Sequence, residues 1–190
     1  MDITTDNQQE RRFGWLAGII DGEGTISMQT YRHHGHVRLT PFICIVNSSQ
    51  EIIQKCNEIL EEIGVAKHYT HRKPNKKKAN GLWYKPCKQI RIDGYKSVLK
   101  LAQAMDGYLI GKTKQAELIK EYIKNRQGMK RWRNEKGHVM LMKYTPREID
   151  ILVEIKSLNR NESPETIRQT LNERFGDDIV RTHDENVRGE

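Results

Sequence analysis

The sequence predicts an α+β protein in which helices and antiparallel strand pairs follow one another in the order αββαββα, with further helices at the C-terminal end. Three observations predict it. Phe13, Leu16 and Ile20 repeat at i, i+3, i+7, the pattern of a helix burying one face. One pair of segments then shows period-two alternation around a polar connection, and a second pair reads as a hairpin with a long connection. Segments with helical apolar spacing separate and follow those pairs.

The first helix carries an unusual second face. Gly14, Gly18 and Gly22 fall four apart. Each glycine in a helix interior costs roughly 1 kcal/mol against alanine, and close approach of a second backbone would offset the loss. Asp21 and Glu23 close the segment at the negative end of the helix dipole, where carboxylates are disfavoured and a bound cation would be welcome.

Residues 25–32 and 37–47 read as a hairpin through His33, His34, Gly35 and His36. Ile26 and Met28 alternate with Thr25, Ser27, Gln29 and Tyr31. Leu39, Ile43 and Ile45 alternate with Arg38, Thr40 and Cys44. One face is core and the other polar, as in an antiparallel sheet covered on a single side. The three histidines suit a solvated tip or a phosphate contact better than a metal site. Ser49 caps a predicted helix with an Ile52, Ile53, Cys56, Leu60, Ile63 stripe, and Gly64 stops it.

Residues 65–73 and 88–92 form the second predicted hairpin. From Lys67 to Arg91 there is no acid, while Lys67, Arg72, Lys73, Lys76, Lys77, Lys78, Lys85, Lys88 and Arg91 are basic, so a phosphate-contacting loop is expected. A short helix over 94–105 carries Val98, Leu99, Leu101 and Ala102. Residues 106–113 nearly spell a phosphate-binding loop, but Gly107 stands one residue too close to Gly111 and the preceding segment reads as helix, so nucleotide hydrolysis is rejected. Another helix runs to about Asn125, and a basic linker follows over 126–133. Thr145-Pro146-Arg147-Glu148 is a capping box with proline at the first helical position, and Ser163-Pro164-Glu165 starts a last helix. The expected organisation is a core over 1–130, a helical extension of the same domain over 131–175, and a disordered tail over 176–190.

The formal charge of +8 and a pI near 9.4 point to a polyanion, nucleic acid first. Residues 1–12 hold no apolar stretch of a signal peptide, and roughly 18 apolar residues never run together, so an intracellular soluble protein, cytoplasmic or organellar and without a membrane partner, is expected. Cys44, Cys56 and Cys87 fit no zinc spacing and read as reduced, partly buried thiols.

Residues 16–24 read L-A-G-I-I-D-G-E-G, which resembles the signature of the LAGLIDADG homing endonucleases, with Ile19 for Leu, Gly22 for Ala and Glu23 for Asp. The resemblance extends more weakly over most of the chain. One copy of the signature implies the single-motif homodimeric type encoded by group I introns, with Gly14, Ala17 and Gly18 at the dimer interface. It implies a saddle-shaped antiparallel sheet that lies in the major groove of double-stranded DNA through Thr25, Ser27, Gln29, Tyr31, Arg38, Thr40, Cys44, Lys67, Tyr69, His71, Lys73, Gln89 and Arg91.

The resemblance further implies catalysis by Glu23, Asn47 and Lys112. Glu23 and the Gly22 carbonyl would hold Mg2+, with Mn2+ substituting and Ca2+ binding without supporting cleavage. Asn47 matches the polar residue that holds the attacking water, and Lys112 a lysine opposite the acid. Glu51 departs from the pattern, standing where close relatives carry a basic residue. The function implied is hydrolysis of both strands of a long, near-palindromic target, promoting intron mobility. The alternative on the same scaffold is a non-catalytic nucleic-acid binder, an intron-splicing maturase with host intron RNA as partner or a transcription factor.

Overall fold

The structure, a computed structural model, describes residues 3–33, 36–72, 86–129 and 144–176. Helix α1 (Ile3–Glu23) passes without a connecting loop into strand β1 (Gly24–His33). The junction requires glycine, because a Cβ on Gly24 would fall 2.6 Å from the Ile20 carbonyl oxygen. Strand β2 (His36–Asn47) returns antiparallel to β1, with His33 paired to His36 at the hairpin tip. Helix α2 (Gln50–Ile63) starts on the Ser49 side chain, which accepts from the Ile52 N–H at 3.3 Å.

Gly64, left-handed at φ 69°, ends α2. The Gly64 N–H bonds the Glu61 carbonyl and the Val65 N–H the Leu60 carbonyl, so buried Val65 completes the helix stop. For that reason strand β3 (His68–Arg72) begins three residues later than the alternation suggests. Strand β4 (Cys87–Asp93) pairs with both β3 and β2, giving an antiparallel sheet in the order β1-β2-β4-β3. Helices α3 (Tyr95–Ala104), α4 (Thr113–Gly128), α5 (Pro146–Arg160) and α6 (Pro164–Phe175) follow. The basic stretch from Arg126 continues α4 to Gly128 rather than opening a linker at once. The expected basic loop over 73–85, the rest of the linker and the tail over 177–190 lie outside the described residues.

One apolar cluster joins α1, the covered sheet face and all the later helices, with Leu16, Ile20, Ile26, Leu60, Ile119 and Ile155 fully or almost fully buried. Ala17 belongs to it at 0% exposure, so the expected place at a dimer surface does not hold. It follows the same i, i+4 stripe as Phe13, Leu16 and Ile20, and faces inward with them. Helix α5 begins with the expected capping box: the Glu148 N–H donates to Thr145 Oγ1 and the Thr145 N–H to Glu148 Oε2.

The sheet's open ends are finished by side chains. Leu39 lies on β2 beyond the last residue that β4 pairs with, Phe42. Its N–H donates to the Tyr144 hydroxyl at 2.8 Å, and its carbonyl accepts from the Tyr122 hydroxyl at 2.9 Å. Two tyrosines thus stand in for a missing strand. On the outer edge of β1, Asn159 of α5 donates to the Ile26 carbonyl at 2.8 Å, which blunts an edge open to further strand pairing.

Replacing Tyr122 with Phe leaves the Leu39 carbonyl buried without a donor, and should destabilise the chain by about 1–3 kcal/mol in urea denaturation. Burial pushes the Cys56 thiol up from 9.0 to about 11. The fold favours the neutral thiol, so its contribution is whole below pH 9 and is lost as the pH rises through 11. The urea midpoint should fall over that interval, and fall less in Cys56→Ala.

Candidate active site

The end of α1 and the start of α4 meet at Asp21. Its carboxylate accepts three successive backbone N–H groups, from Ile110 at 2.8 Å, Gly111 at 3.0 Å and Lys112 at 2.9 Å. Converging amides of this kind form an anion-binding nest, and here the anion is supplied by the chain itself. The near phosphate-binding loop of the sequence is therefore a loop that binds a carboxylate. Asp21 also lies at the N-terminal end of α4, where the helix dipole favours negative charge. The Lys112 ammonium bonds back to the Asp21 carbonyl at the C-terminal end of α1.

Glu23, two residues on, is exposed and has no hydrogen-bond or ion-pair partner among the described residues. The two acids of the motif are thus separated by their partners: Asp21 is satisfied within the chain, and Glu23 is left open. Gly22 between them is exposed, and a Cβ there would meet nothing within 4 Å. Its carbonyl is one of the last in the helix, which have no intrahelical donor. Glu23 and Gly22 thus present hard oxygen donors, the kind a magnesium ion takes. Among the described residues no group of three or more His, Cys, Asp and Glu is placed to hold a metal ion.

Asn47 ends β2. Its Oδ1 accepts the Ser49 N–H at 2.8 Å, leaving the amide Nδ2 as its remaining polar group. Glu51 accepts from the Ser49 hydroxyl at 2.6 Å, and that bond holds its carboxyl below the usual range. Its charge therefore serves the N-terminus of α2, which accounts for an acid at this position.

The register decides which residues share the open face of the sheet. Thr25 pairs with Cys44, Gln29 with Thr40 and Tyr31 with Arg38. Cys44 pairs with Arg91 and Val46 with Gln89, which extends the face onto β4. Thr25, Gln29 and Tyr31 are exposed; Ser27, Arg38, Thr40 and Arg91 are partly so. Arg91 stacks over Phe42 with its guanidinium 4.0 Å from the ring centroid, donates to Gln29 at 2.8 Å and pairs with Asp93 at 2.9 Å. Cys44 and Gln89 share the face but are only 7% and 5% exposed, because each sits on a central strand with neighbours on both sides.

On β3 the expected phase is off by one residue. His68 pairs with Arg91 and Thr70 with Gln89, so His68 and Thr70 are on the open face. Tyr69 pairs with buried Ile90 and lies on the opposite, helix-covered side near Glu61 and Cys56 of α2. Lys67 precedes the strand and is held by Glu61 at 3.3 Å, with its side chain 8% exposed. His71 pairs with Lys88, and Lys73 lies outside the described residues. Phe42, His68, Thr70 and Asp93 were missed. Only the pairing with Arg91 and Gln89 identifies His68 and Thr70, which the long connection between β3 and β4 hides from the sequence, and Asp93 is identified by its pairing with Phe42.

Residues 10–124 match the family model of a LAGLIDADG-like domain, and the chain belongs to that family. Its fold is that of the LAGLIDADG homing endonucleases. The homing endonuclease I-CvuI in complex with its target in 2 mM Ca is 19% identical at a TM-score of 0.55, covering 87% of this chain and 96% of that one. The archaeal intron-encoded homing endonuclease I-Vdi141I, complexed with DNA, is 17% identical at 0.52 and covers 86% and 96%. The meganuclease I-AabMI bound to uncleaved DNA is 22% identical at 0.51, with 86% of this chain laid on 48% of that one. No match is found among curated proteins. Among the described residues no helix is long and apolar enough to cross a membrane.

Removing the Asp21 carboxylate with Asp21→Ala should release three amides at once. Hydrogen exchange at Ile110, Gly111 and Lys112 should accelerate at least tenfold while exchange in β1 and β2 changes little.

Proposed function

We propose that the chain is a Mg2+-dependent homing endonuclease that acts as a homodimer, cuts both strands of a long near-palindromic DNA target, and thereby promotes intron mobility. The observation that carries this reading is Glu23: an exposed acid without a partner, at a helix end tied to Lys112, beside a neighbouring acid that is fully engaged. A protein that only held nucleic acid would gain nothing from a carboxylate turned toward phosphate. This favours the enzyme over the maturase or transcription-factor alternative. The DNA-bound relatives support duplex DNA as the partner.

Dimerisation is supported by what the glycines of α1 do not do. A side chain on Gly18 would meet nothing within 4 Å, and one on Gly14 only an ordinary contact with Tyr108 at 3.9 Å. Neither glycine is required within the chain, yet each costs about 1 kcal/mol of helix propensity. The constraint therefore comes from outside, and a second copy of α1 packed on the face of Gly14, Gly18 and Trp15 supplies it. Two copies bring two Glu23 carboxylates to one axis, where like charges need cations between them.

A bound Mg2+ would lower the pKa of water and shield charge on the phosphorus oxygens, and Mn2+ is expected to substitute where Ca2+ does not support cutting. Glu23 and the Gly22 carbonyl are the groups that would hold the ion. Asn47 Nδ2 orients the attacking water, since its Oδ1 is committed to Ser49. Lys112, braced on the Asp21 carbonyl, offers a fixed positive charge to the phosphate as negative charge builds. Thr25, Ser27, Gln29, Tyr31, Thr40 and Arg91 face the bases, joined by His68 and Thr70 on β3.

Glu23→Gln should abolish cleavage, by at least a thousandfold, while leaving duplex affinity within about threefold. Plasmid cleavage over a randomised target library with and without Mg2+ reads the first, and gel shift the second. Wild-type cutting by this variant would refute the assignment. Gly18→Leu should still fold, because the lone chain has room for it, yet lose both dimer mass in light scattering and cleavage.

A further inference from the structure

Away from the end of α1, a cavity of about 50 Å3 opens between β1, α5 and α6. Its polar lining is Thr30, Lys156, Arg160, Thr170 and Arg174, over the ring of Phe175. Lys156 and Arg160 are one turn apart on α5, and Arg174 faces them from α6. Three cations thus converge on one small space. Against them stands Glu162, 3.7 Å from Arg160, in a pair whose side chains are 50% and 41% exposed. Such an exposed pair is weak, and the pull of Glu162 on Lys156 is outweighed by burial and the two arginines, so one carboxylate offsets the three cations only in part.

Lys156 is half-buried and has no hydrogen bond or ion pair with any described residue. Burial, then the nearness of Arg160 and Arg174, holds its ammonium below the ordinary lysine range. The cations cannot satisfy one another, since ammonium and guanidinium groups are donors only. A second observation is independent of charge. Thr30 is 9% exposed, and its Oγ1 is buried without a hydrogen-bond partner. Thr170 has already given its proton to the Thr166 carbonyl at 2.9 Å. What the cavity lacks is a compact, negatively charged acceptor with several lone pairs.

We propose that this cavity binds one phosphate-type oxyanion. A tetrahedral oxyanion presents acceptors in several directions, matching the guanidinium forks of Arg160 and Arg174, the Lys156 ammonium and the Thr30 hydroxyl together. The volume holds a few waters, which suits one small oxyanion and excludes a nucleoside. Its effect would be to clamp the C-terminal helices onto the edge strand, where Arg32 of β1 already donates to the Phe175 carbonyl at 3.2 Å. The same chemistry is offered by free phosphate and by a backbone phosphate of a nucleic acid reaching the outer edge of β1.

The test uses the full chain in phosphate-free buffer, with inorganic phosphate titrated against chloride at matched ionic strength. Thermal unfolding and calorimetry should show a saturable, phosphate-specific stabilisation. Lys156→Met keeps the apolar stem and removes the charge, and should weaken phosphate binding at least tenfold; Thr30→Val should weaken it severalfold. Should Lys156→Met fail to fold, Arg174→Gln on the surface of α6 is held to the same tenfold criterion. Equal stabilisation by chloride, or wild-type phosphate affinity in the charge-removing variant, overturns the proposal.

A non-specific duplex separates the two sources. Weaker duplex binding by Lys156→Met, with phosphate competing in the wild type, assigns the site to nucleic-acid phosphate. Unchanged duplex binding, with the phosphate effect kept in the complex, assigns it to the free ion. Both outcomes support the oxyanion, and neither depends on whether Glu23 cuts.

Discussion

The carboxylate of Asp21, held by three consecutive amides of the loop before α4, fixes the relation between the first helix and the rest of the chain. The Lys112 amide is half-buried and those of Ile110 and Gly111 are exposed, so what the three bonds supply together is the path of that loop against α1. Because the bonds run from residue 21 to residues 110–112, they couple parts of the chain that local propensity cannot relate. Lys112 closes the arrangement by reaching back to the Asp21 carbonyl. The position of the ammonium at the C-terminal end of α1 is therefore a property of the clamp.

The clamp divides labour between two acids that look alike in the sequence. A carboxylate accepting several N–H bonds is a structural group, whereas an exposed one at the negative end of a helix is electrostatically uncomfortable until a cation arrives. Glu23 is in the second condition. The glycines around it extend the same logic. Gly24 is demanded by the Ile20 carbonyl 2.6 Å from where its Cβ would stand, so it belongs to the fold. Gly18 and Gly22 have open space, so the fold alone does not explain them.

The elements with local signatures were legible. Ser49 and Gly64 bounded α2, Thr145 to Glu148 opened α5, and Ser163 opened α6, because caps are contacts between residues only a few positions apart. The β1–β2 hairpin was also legible, since its short tip fixes the register. The site was legible only in part. Tyr69 was placed on the wrong face because β3 has five residues and its partner follows a long connection, so nothing local sets its phase. Ala17 was placed outside although its own helical spacing put it with Leu16 and Ile20, and its complete burial shows which argument governs.

By itself the sequence determined the order of the elements, the single signature helix with its acids and glycines, and the positive charge, since each is written in spacing or composition. Only the tertiary structure decided that Asp21 is occupied while Glu23 is open, that Tyr122 and Tyr144 finish β2, and which residues of β3 join the open face. The reason is physical: a hydrogen bond or a strand register between distant segments depends on where the intervening chain returns. That return is set by burying the whole apolar cluster at once, not by any stretch of residues read alone.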